Sequence, residues 1–494
     1  MAVMAAVDLG AQSGRVAVGR FDGEQLAVSE VHRFANVPVR LRDTLHWDLL
    51  GLYRETLDGL RAAARESAID SVAVDSWAGD FGLLDNAGRL LGNPVHYRDA
   101  RRAAAVPGVF SRVPPRELYE RTGIQLLPIN TVFALAAMVE DGDPALEAAE
   151  TLLLVPDLLH FWLCGSRTTE FTNATTTQCL DARSGRWATD LLDRLDIPVR
   201  LFPDPVSAGT PLGPIAGGAG QEGLDGASVV AVATHDTGSA VAAVPLRDDS
   251  VFLSVGTWSL VGREVRQPLI TEESFAANLT NEGGVDGTYR LLRNVTGLWL
   301  LHECRRQWAL DGRDYSFEEL GALAESAPPL RSFVDPDDPS FAEPDAMPER
   351  IAEYCARTGQ PEPAGAAAVV RCILESLALK HAQVAGLLGR VTGTAPTELH
   401  VVGGGARNAV LCAWTAQAAC LPVLAGPEEA TLVGNLLVQA MALGELSSLA
   451  EAREVVRASY QPVVYEPSTS TEWREARERF EQLTAAGSPL KVAS

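Results

Sequence analysis

Val3-Met-Ala-Ala-Val-Asp8-Leu-Gly10-Ala-Gln-Ser13-Gly14-Arg15-Val-Ala-Val-Gly-Arg-Phe21 is the most informative stretch of this chain. An apolar strand runs into a lone carboxylate, Asp8. Two glycines then turn the chain, and a second strand leaves in near-alternation. A carboxylate at the end of a buried strand is costly unless it meets a partner, such as a metal ion or a reacting group near a phosphate. Gly10 and Gly14 would let backbone N–H groups turn inward toward an anion. The alternative is an ordinary Asx-stabilised hairpin with a solvated Asp8.

The same order of features returns 246 residues later, almost half of the 494-residue chain, in Ser250-Val-Phe-Leu-Ser254-Val-Gly256-Thr257-Trp258-Ser259-Leu-Val-Gly-Arg-Glu-Val265. Ser254 stands where Asp8 stood and Gly256 where Gly10 stood. The repeat suggests two related domains, each bringing a phosphate-facing turn to a shared cleft; chance similarity of two short hairpins is the alternative.

Length agrees with two domains, since a single core seldom grows past about 250–300 residues. The boundaries read from sequence are 1–246, 247–465 and a C-terminal tail or helix over 466–494. Hydrophobic residues make up 47% and charged residues 21% of the chain, as in a well-packed globular protein. A formal charge of −23 argues against nucleic acid or an anionic membrane as partner, though not against a locally held phosphate. The seven cysteines are scattered and form no CxxC, which predicts free thiols in a reducing compartment. A Cys355–Cys372 bridge is conceivable. With no leader-like or membrane-spanning segment, the expected location is the cytoplasm.

Alternating strand and helix signals predict α/β domains with mixed sheets. Residues 44–66 become helical, with Leu49, Leu52, Tyr53, Leu57 and Leu60 on one face. Ser71–Asp75 reads as a strand ending in a second carboxylate, and Phe81-Gly-Leu-Leu84 as another. Residues 130–163 read as mainly helical and Thr172–Thr177 as loop or edge. Residues 203–225 read as irregular, 228–234 as a strand, 246–250 as a junction, and 327–348 as loop. Residues 366–388 read as an amphipathic helix, 398–402 as a strand and 406–419 as a helix.

Four glycine- or hydroxyl-rich turns follow apolar strands, at Gly10, Gly238, Gly256 and Gly403–Gly405. There is neither a Walker P-loop nor a GxGxxG after the first strand, so any nucleotide site is of another type. Asp236, in Ala233-Thr234-His235-Asp236-Thr237-Gly238, directly follows a buried strand and suits a general base for phosphoryl transfer; a helix N-cap is its structural alternative. His235 could donate to a sugar hydroxyl. Trp77, Tyr97 and Trp299 could stack on a sugar or simply build core. Asn294 and Gln125 are candidate hydroxyl partners. Arg98-Asp99-Ala-Arg101-Arg102 could orient phosphates or open a helix.

Taken together, these motifs resemble the FGGY carbohydrate kinases of the sugar kinase, heat-shock-protein and actin superfamily. The resemblance rests on the Asp8 hairpin, on Gly256-Thr257-Trp258-Ser259 and on Gly403-Gly-Gly405. Thr44–Asp48, Pro94–Asp99, Thr122–Pro128, Phe171–Gln178, Thr234–Thr237, Asn281–Gly284, Asn294–Leu301 and Ala425–Thr431 extend it over roughly residues 4–465. Within the family the chain is most similar to the rhamnulokinases.

The resemblance implies two ribonuclease-H-like domains with sugar and ATP in an inter-domain cleft. It implies ATP- and Mg²⁺-dependent phosphorylation of the 1-hydroxyl of L-rhamnulose by a monomer or homodimer. Asp236 would be the base. Ala78, His235, Asp236, Thr237 and Asn294 would line the sugar. Ala11, Gln12, Ser13, Gly14, Arg15, Thr257, His302 and Gly404 would contact ATP, with Asp8 near Mg²⁺. Two departures stand out. The family loop commonly reads Asp-Thr-Trp-Gly-Val-Asp-Phe, and here it is Asp75-Ser-Trp-Ala78-Gly79-Asp80-Phe81. His302 stands where a glutamine is usual. Other readings are a kinase for L-fuculose or L-xylulose, a non-catalytic sugar- or nucleotide-binding relative, and an actin-like filament protein.

Overall fold

A computed structural model describes residues 1–216, 224–342, 344–468 and 470–485. Residues 217–223 of the Pro/Gly-rich stretch and 486–494 of the tail lie outside the described residues. The chain forms two compact α/β units that interleave in sequence. The first comprises Met1–Pro245, Glu264–Leu291 and Ala430–Tyr460; the second comprises Leu246–Arg263, Leu292–Glu429 and Gln461–Ser494.

In the first unit a six-stranded sheet runs in the order Thr210–Pro214, Ser228–Ala231, Ser71–Ser76, Ala2–Leu9, Ser13–Phe21, Leu26–Ala35. Ala2–Leu9 is buried along its whole length, because it lies in mid-sheet with elements on both faces. It pairs antiparallel with Ser13–Phe21 and parallel with Ser71–Ser76. The helix Leu49–Glu66 is capped by Asp48, whose side chain accepts from the Gly51 N–H, and buries Leu49, Leu52, Gly59, Leu60 and Ala63. Val16 packs so close to Gly59 that a Cβ there would meet its Cγ2 at 2.3 Å.

The second unit repeats this plan. Ser250–Val255 pairs antiparallel with Trp258–Val265 and parallel with Glu398–Val402, which continues to Val423–Ala425 and Val463–Tyr465. Both hairpins therefore place their first strand between an antiparallel neighbour and a parallel one. The turns differ by one residue: Asp8 faces Arg15, whereas Ser254 faces Leu260.

Several local expectations are corrected. A strand, Thr151–Leu154, interrupts the helices predicted across 130–163 and pairs with Phe81–Leu84. Thr172–Thr177 is not a loop; Phe171–Thr176 is helical. Threonine is a poor helix former, but here buried Glu170 caps the helix, and Thr175, Thr176 and Thr177 donate back to carbonyls three residues earlier. Within 203–225 the chain adds two strands, Pro205–Val206 and Thr210–Pro214, to neighbouring strands.

The helix over Gly365–Thr392 is buried on most faces rather than amphipathic. Its interior polar groups are paired: Glu375 with Arg371, Lys380 with Asp335 and Asp337, and His381 with Ser259. All seven cysteines are free thiols, Cys355 and Cys372 included, and Cys420 is exposed. No helix among the described residues is long and apolar enough to cross a membrane.

Candidate active site

Three carboxyls gather at the strand ends of the first unit. Register sets Asp8 beside Asp75 on the neighbouring parallel strand and opposite Arg15 on the antiparallel one. Arg15 approaches Asp8 Oδ2 with Nε at 2.9 Å and Nη2 at 2.7 Å. The buried Asp8 thus has a protein partner across its own hairpin. Asp75 is fully buried; its Oδ2 accepts from Asn435 Nδ2 at 2.5 Å and its Oδ1 has no hydrogen bond. Burial first, and then the charge of Asp8, hold its carboxyl well above the usual range.

Asp236 opens the helix Asp236–Ala242. Its Oδ1 accepts from Thr237 N at 2.5 Å and Thr237 Oγ1 at 3.1 Å, and His235 Nε2 lies 3.5 Å away. Its side chain is 31% exposed, while the carboxyl is raised above the usual range, mainly by burial and also by the charge of Asp8, against the lowering influence of His235. The charge of Asp8 thus raises both Asp75 and Asp236, opposed by Arg15 at Asp75 and by His235 at Asp236.

The turn that carries Asp236 is anchored from outside. Glu170, fully buried, accepts through Oε2 from Thr234 N and Thr234 Oγ1, and from Thr172 Oγ1. Ser76 N donates to Thr234 O at 2.9 Å, which ties the loop 76–80 to the same turn. In that loop Asp80 is buried and accepts from Trp47 Nε1 at 2.6 Å and Trp77 Nε1 at 2.9 Å through Oδ2, and from Arg102 Nη2 at 2.5 Å through Oδ1. Trp77 and Tyr97 thus belong to a buried aromatic cluster with Trp47 and His96. Asp99 caps the helix Ala100–Arg112, and Arg102 turns inward.

Ala78 is half-buried, and its backbone is not in the left-handed region. The glycine that this loop requires is Gly79, at φ +87°, where a Cβ would come within 3.0 Å of Ile129 O.

The glycine turn at residues 10–14 differs from the sequence expectation. Neither Gly10 nor Gly14 has a positive φ. Gly14 is required by packing, since a Cβ there would meet the Phe34 ring at 2.3 Å. The Gly10 N–H donates to Ser13 O, and Asn36 braces the turn by donating to Gly10 O and Gln12 O. Ala11 packs partly into the core, Gln12 is exposed, and Ser13 and Arg15 are half-buried.

The remaining expected residues lie in the second unit. Thr257 O accepts from Gly297 N and Trp299 N, which closes the turn against the start of the helix Trp299–Leu310. The glycine run divides in two: a Cβ on Gly405 would strike Val255 Cβ at 2.2 Å, whereas Gly404 is exposed and its nearest neighbour would be 4.0 Å away. Packing explains Gly405 and leaves Gly404 accessible. Asn294 is half-buried in the strand Tyr289–Thr296. His302 is neutral at pH 7, because burial and then Arg305 push it down to about 4, and its Nδ1 has no hydrogen bond. Trp299 donates to Phe341 O and is committed to the structure.

Glu170, Glu282, Arg290, Asn435 and Gln439 are the buried polar residues around the carboxyls that sequence reasoning did not select. Gln439 donates to Ala5 O and to Asn435 Oδ1, orienting the amide that holds Asp75.

Comparison with known proteins agrees with this arrangement. Residues 3–243 match the N-terminal domain and residues 251–443 the C-terminal domain of the FGGY family of carbohydrate kinases. A protein named rhamnulokinase from Bacteroides thetaiotaomicron is 43% identical over 478 residues, covering 96% of this chain and 98% of the relative. Its namesake from Pectobacterium carotovorum is 41% identical over 97% of this chain and 96% of the relative. The fold is similar to a gluconate kinase from Lactobacillus acidophilus, with a TM-score of 0.80 at 17% identity over 100% of this chain and 99% of that one. It is also similar to a xylulose kinase from Rhodospirillum rubrum, with a TM-score of 0.79 at 19% identity over 98% of each chain. With both of its domains matched and relatives above 40% identity across nearly its full length, the chain belongs to the FGGY family of carbohydrate kinases.

Proposed function

We propose that the protein transfers the γ-phosphoryl group of ATP to the 1-hydroxyl of L-rhamnulose. The observation that carries this reading is Asp236: a partly exposed carboxylate beside two other carboxyls, on a turn anchored by buried Glu170. Raised basicity suits removal of a proton from a hydroxyl that is attacking phosphorus. The relatives named rhamnulokinase supply the identity of the sugar.

In this reading the first unit handles the sugar through Ala78, His235, Asp236 and Thr237, with Asn294 as a further partner. Ala11–Arg15, Thr257, His302 and Gly404 contact ATP. Mg²⁺ is commonly held by one or two carboxylates together with water and substrate phosphates, and Asp8 fits that donor set. When bound, Mg²⁺ would neutralise charge on the transferring phosphate. The protein's own part is to orient the acceptor, receive its proton at Asp236 and exclude water. ATP as co-substrate and free buried thiols support a cytoplasmic location, with the protein acting as a monomer or homodimer.

The test is ADP release by the purified protein with Mg²⁺ and a panel of L-rhamnulose, L-fuculose and L-xylulose. The highest kcat/KM on L-rhamnulose is expected. A preference for another ketose overturns the substrate, and ketose binding without ADP release overturns the kinase reading.

A further inference from the structure

His235 is 6% exposed and is held at its inner nitrogen by a buried ion pair. Arg290 Nη2 lies 3.1 Å and Glu282 Oε2 lies 3.2 Å from His235 Nδ1. Arg290 Nη1 and Glu282 Oε2 are themselves 3.3 Å apart. Arg290 is fully buried and Glu282 is 3% exposed, and Arg290 Nε is fixed by a 2.8 Å bond to Gly283 O. At the outer side of the ring, Nε2 faces Asp236 Oδ1 at 3.5 Å. Besides these three charged groups, Glu170 acts on Arg290 through its charge.

The chemistry of the pair restricts where the ring carries hydrogen. Arginine can only donate, so a neutral His235 that bonds Arg290 must offer a lone pair at Nδ1 and carry its hydrogen on Nε2. If the ring gains a second proton, Nδ1–H finds an acceptor in Glu282, and Nε2 keeps its hydrogen. The remaining form, neutral with the hydrogen on Nδ1, would donate to Glu282 at 3.2 Å but set two donors against each other at Arg290, the nearer of the two at 3.1 Å. In both favoured forms Nε2, 3.5 Å from Asp236 Oδ1, carries a hydrogen.

We infer that Glu282 and Arg290 are positioning residues that fix the orientation and tautomer of His235, so that Nε2–H is presented on the side of Asp236 Oδ1 and of the sugar, while Oδ2 is left to receive the proton of the phosphoryl acceptor. Thr237 N and Oγ1 donate to the same Oδ1, and His235 Nε2 lies 3.5 Å from it. A carboxylate anchored in this way cannot rotate its basic oxygen away from the acceptor, which is the usual benefit of a second group behind a general base.

The inference rests on the kinase reading for its consequence but not for its geometry, and the experiment separates the two. Full-length protein labelled with ¹⁵N-histidine reports the tautomer by NMR at about pH 8, where an unperturbed imidazole is neutral, with His235→Gln identifying the signal. The wild type is expected to carry hydrogen on Nε2. Arg290→Met should move it to Nδ1 and lower kcat on the best ketose of the panel about tenfold or more, with KM for ATP unchanged. Arg290→Lys, which keeps a donor, should restore part of kcat and the Nε2–H signal. If Arg290→Met does not fold, Glu282→Gln/Arg290→Met removes the clamp without leaving a buried charge, and its tautomer and kcat decide. A wild-type signal from the Nδ1–H tautomer, or clamp-free variants that keep both the Nε2–H signal and wild-type kcat, overturns the inference. An Nε2–H signal in a protein inactive on all three ketoses retains the clamp and discards the substrate.

Discussion

Asp8 and Asp75 face each other across adjacent parallel strands, and Arg15 pairs with Asp8 while a neutral amide, Asn435, holds Asp75. One carboxyl is compensated by a cation, and in the other burial and the charge of Asp8 disfavour the anion. This asymmetry lets two acids lie side by side at the ends of neighbouring strands.

Asp75→Asn is therefore expected to stabilise the protein at neutral pH. The folded-state pKa of Asp75 is raised above its unfolded value of about 3.9. Between those two values the folded state binds more protons, so the stability contribution present at low pH declines as pH rises toward the folded pKa. Asparagine can accept from Asn435 and donate toward Asp8 without burying a charge. The variant should be more stable than the wild type at pH 7 and lose part of the decline in stability as pH rises from the unfolded value. Thermal unfolding across that range, wild type against variant, gives the answer; an unchanged slope removes Asp75 as its source.

Glu170→Gln should have the opposite effect. Glu170 receives four hydrogen bonds, from Thr172 N, Thr172 Oγ1, Thr234 N and Thr234 Oγ1. Glutamine must turn its NH₂ toward one set of these donors, and a buried unsatisfied pair costs about 1–3 kcal/mol. Because the loss falls on the turn that carries Asp236, kcat should fall together with Tm. A full loss of Tm with unchanged kcat per folded molecule would show that the cap serves the fold alone.

The positions of these residues explain what the sequence could and could not disclose. The Asp8 hairpin, its partner at Ser254 and the strand into Asp236 are local patterns, readable because a strand, a turn and a carboxylate are contiguous. Asn435 meets Asp75 from 360 residues away, and Glu170 meets Thr234 from 64 residues away. Nothing in their own neighbourhoods marks them as polar supports. The Thr172–Thr177 helix was illegible for the same reason, since its cap is a carboxylate whose other partners lie on a distant strand end. Gly10 and Gly14 were legible as a turn but not in purpose, because the Phe34 ring that requires Gly14 arrives from the next strand.

Gly404 and Gly405 should respond differently to a single methyl group. Gly405→Ala forces a Cβ to within 2.2 Å of Val255 Cβ, so the turn or the strand must shift. Overpacking of this kind costs about 1–3 kcal/mol and should appear as a lower Tm. Gly404→Ala meets nothing nearer than 4.0 Å, so Tm should hold while KM for ATP rises. Parallel melting curves and ATP titrations check both; an unchanged KM in Gly404→Ala removes Gly404 from the nucleotide contacts.

The loop Asp75–Phe81 offers the sharpest contrast between a family pattern and this chain. The common Gly-Val pair is replaced by Ala78-Gly79, and of these two positions only Gly79 lies in the left-handed region. Gly79 adopts φ +87°, with Arg102 Nη1 and Thr131 Oγ1 both donating to its carbonyl. A β-branched residue there would be held in the left-handed region, a strain of about 1–3 kcal/mol, and its Cβ would press on Ile129 O. Ala78 carries no such strain, and in the proposed reading it lines the ketose. Ala78→Gly should leave Tm within a few degrees, keep kcat within about twofold, and shift KM for the ketose severalfold, the signature of altered uniform binding. Gly79→Val should lower Tm, and Ala78→Gly/Gly79→Val, which restores the family pair, should be no more stable than Gly79→Val. If the double variant instead melts like the wild type, the left-handed turn at Gly79 is not required by this loop.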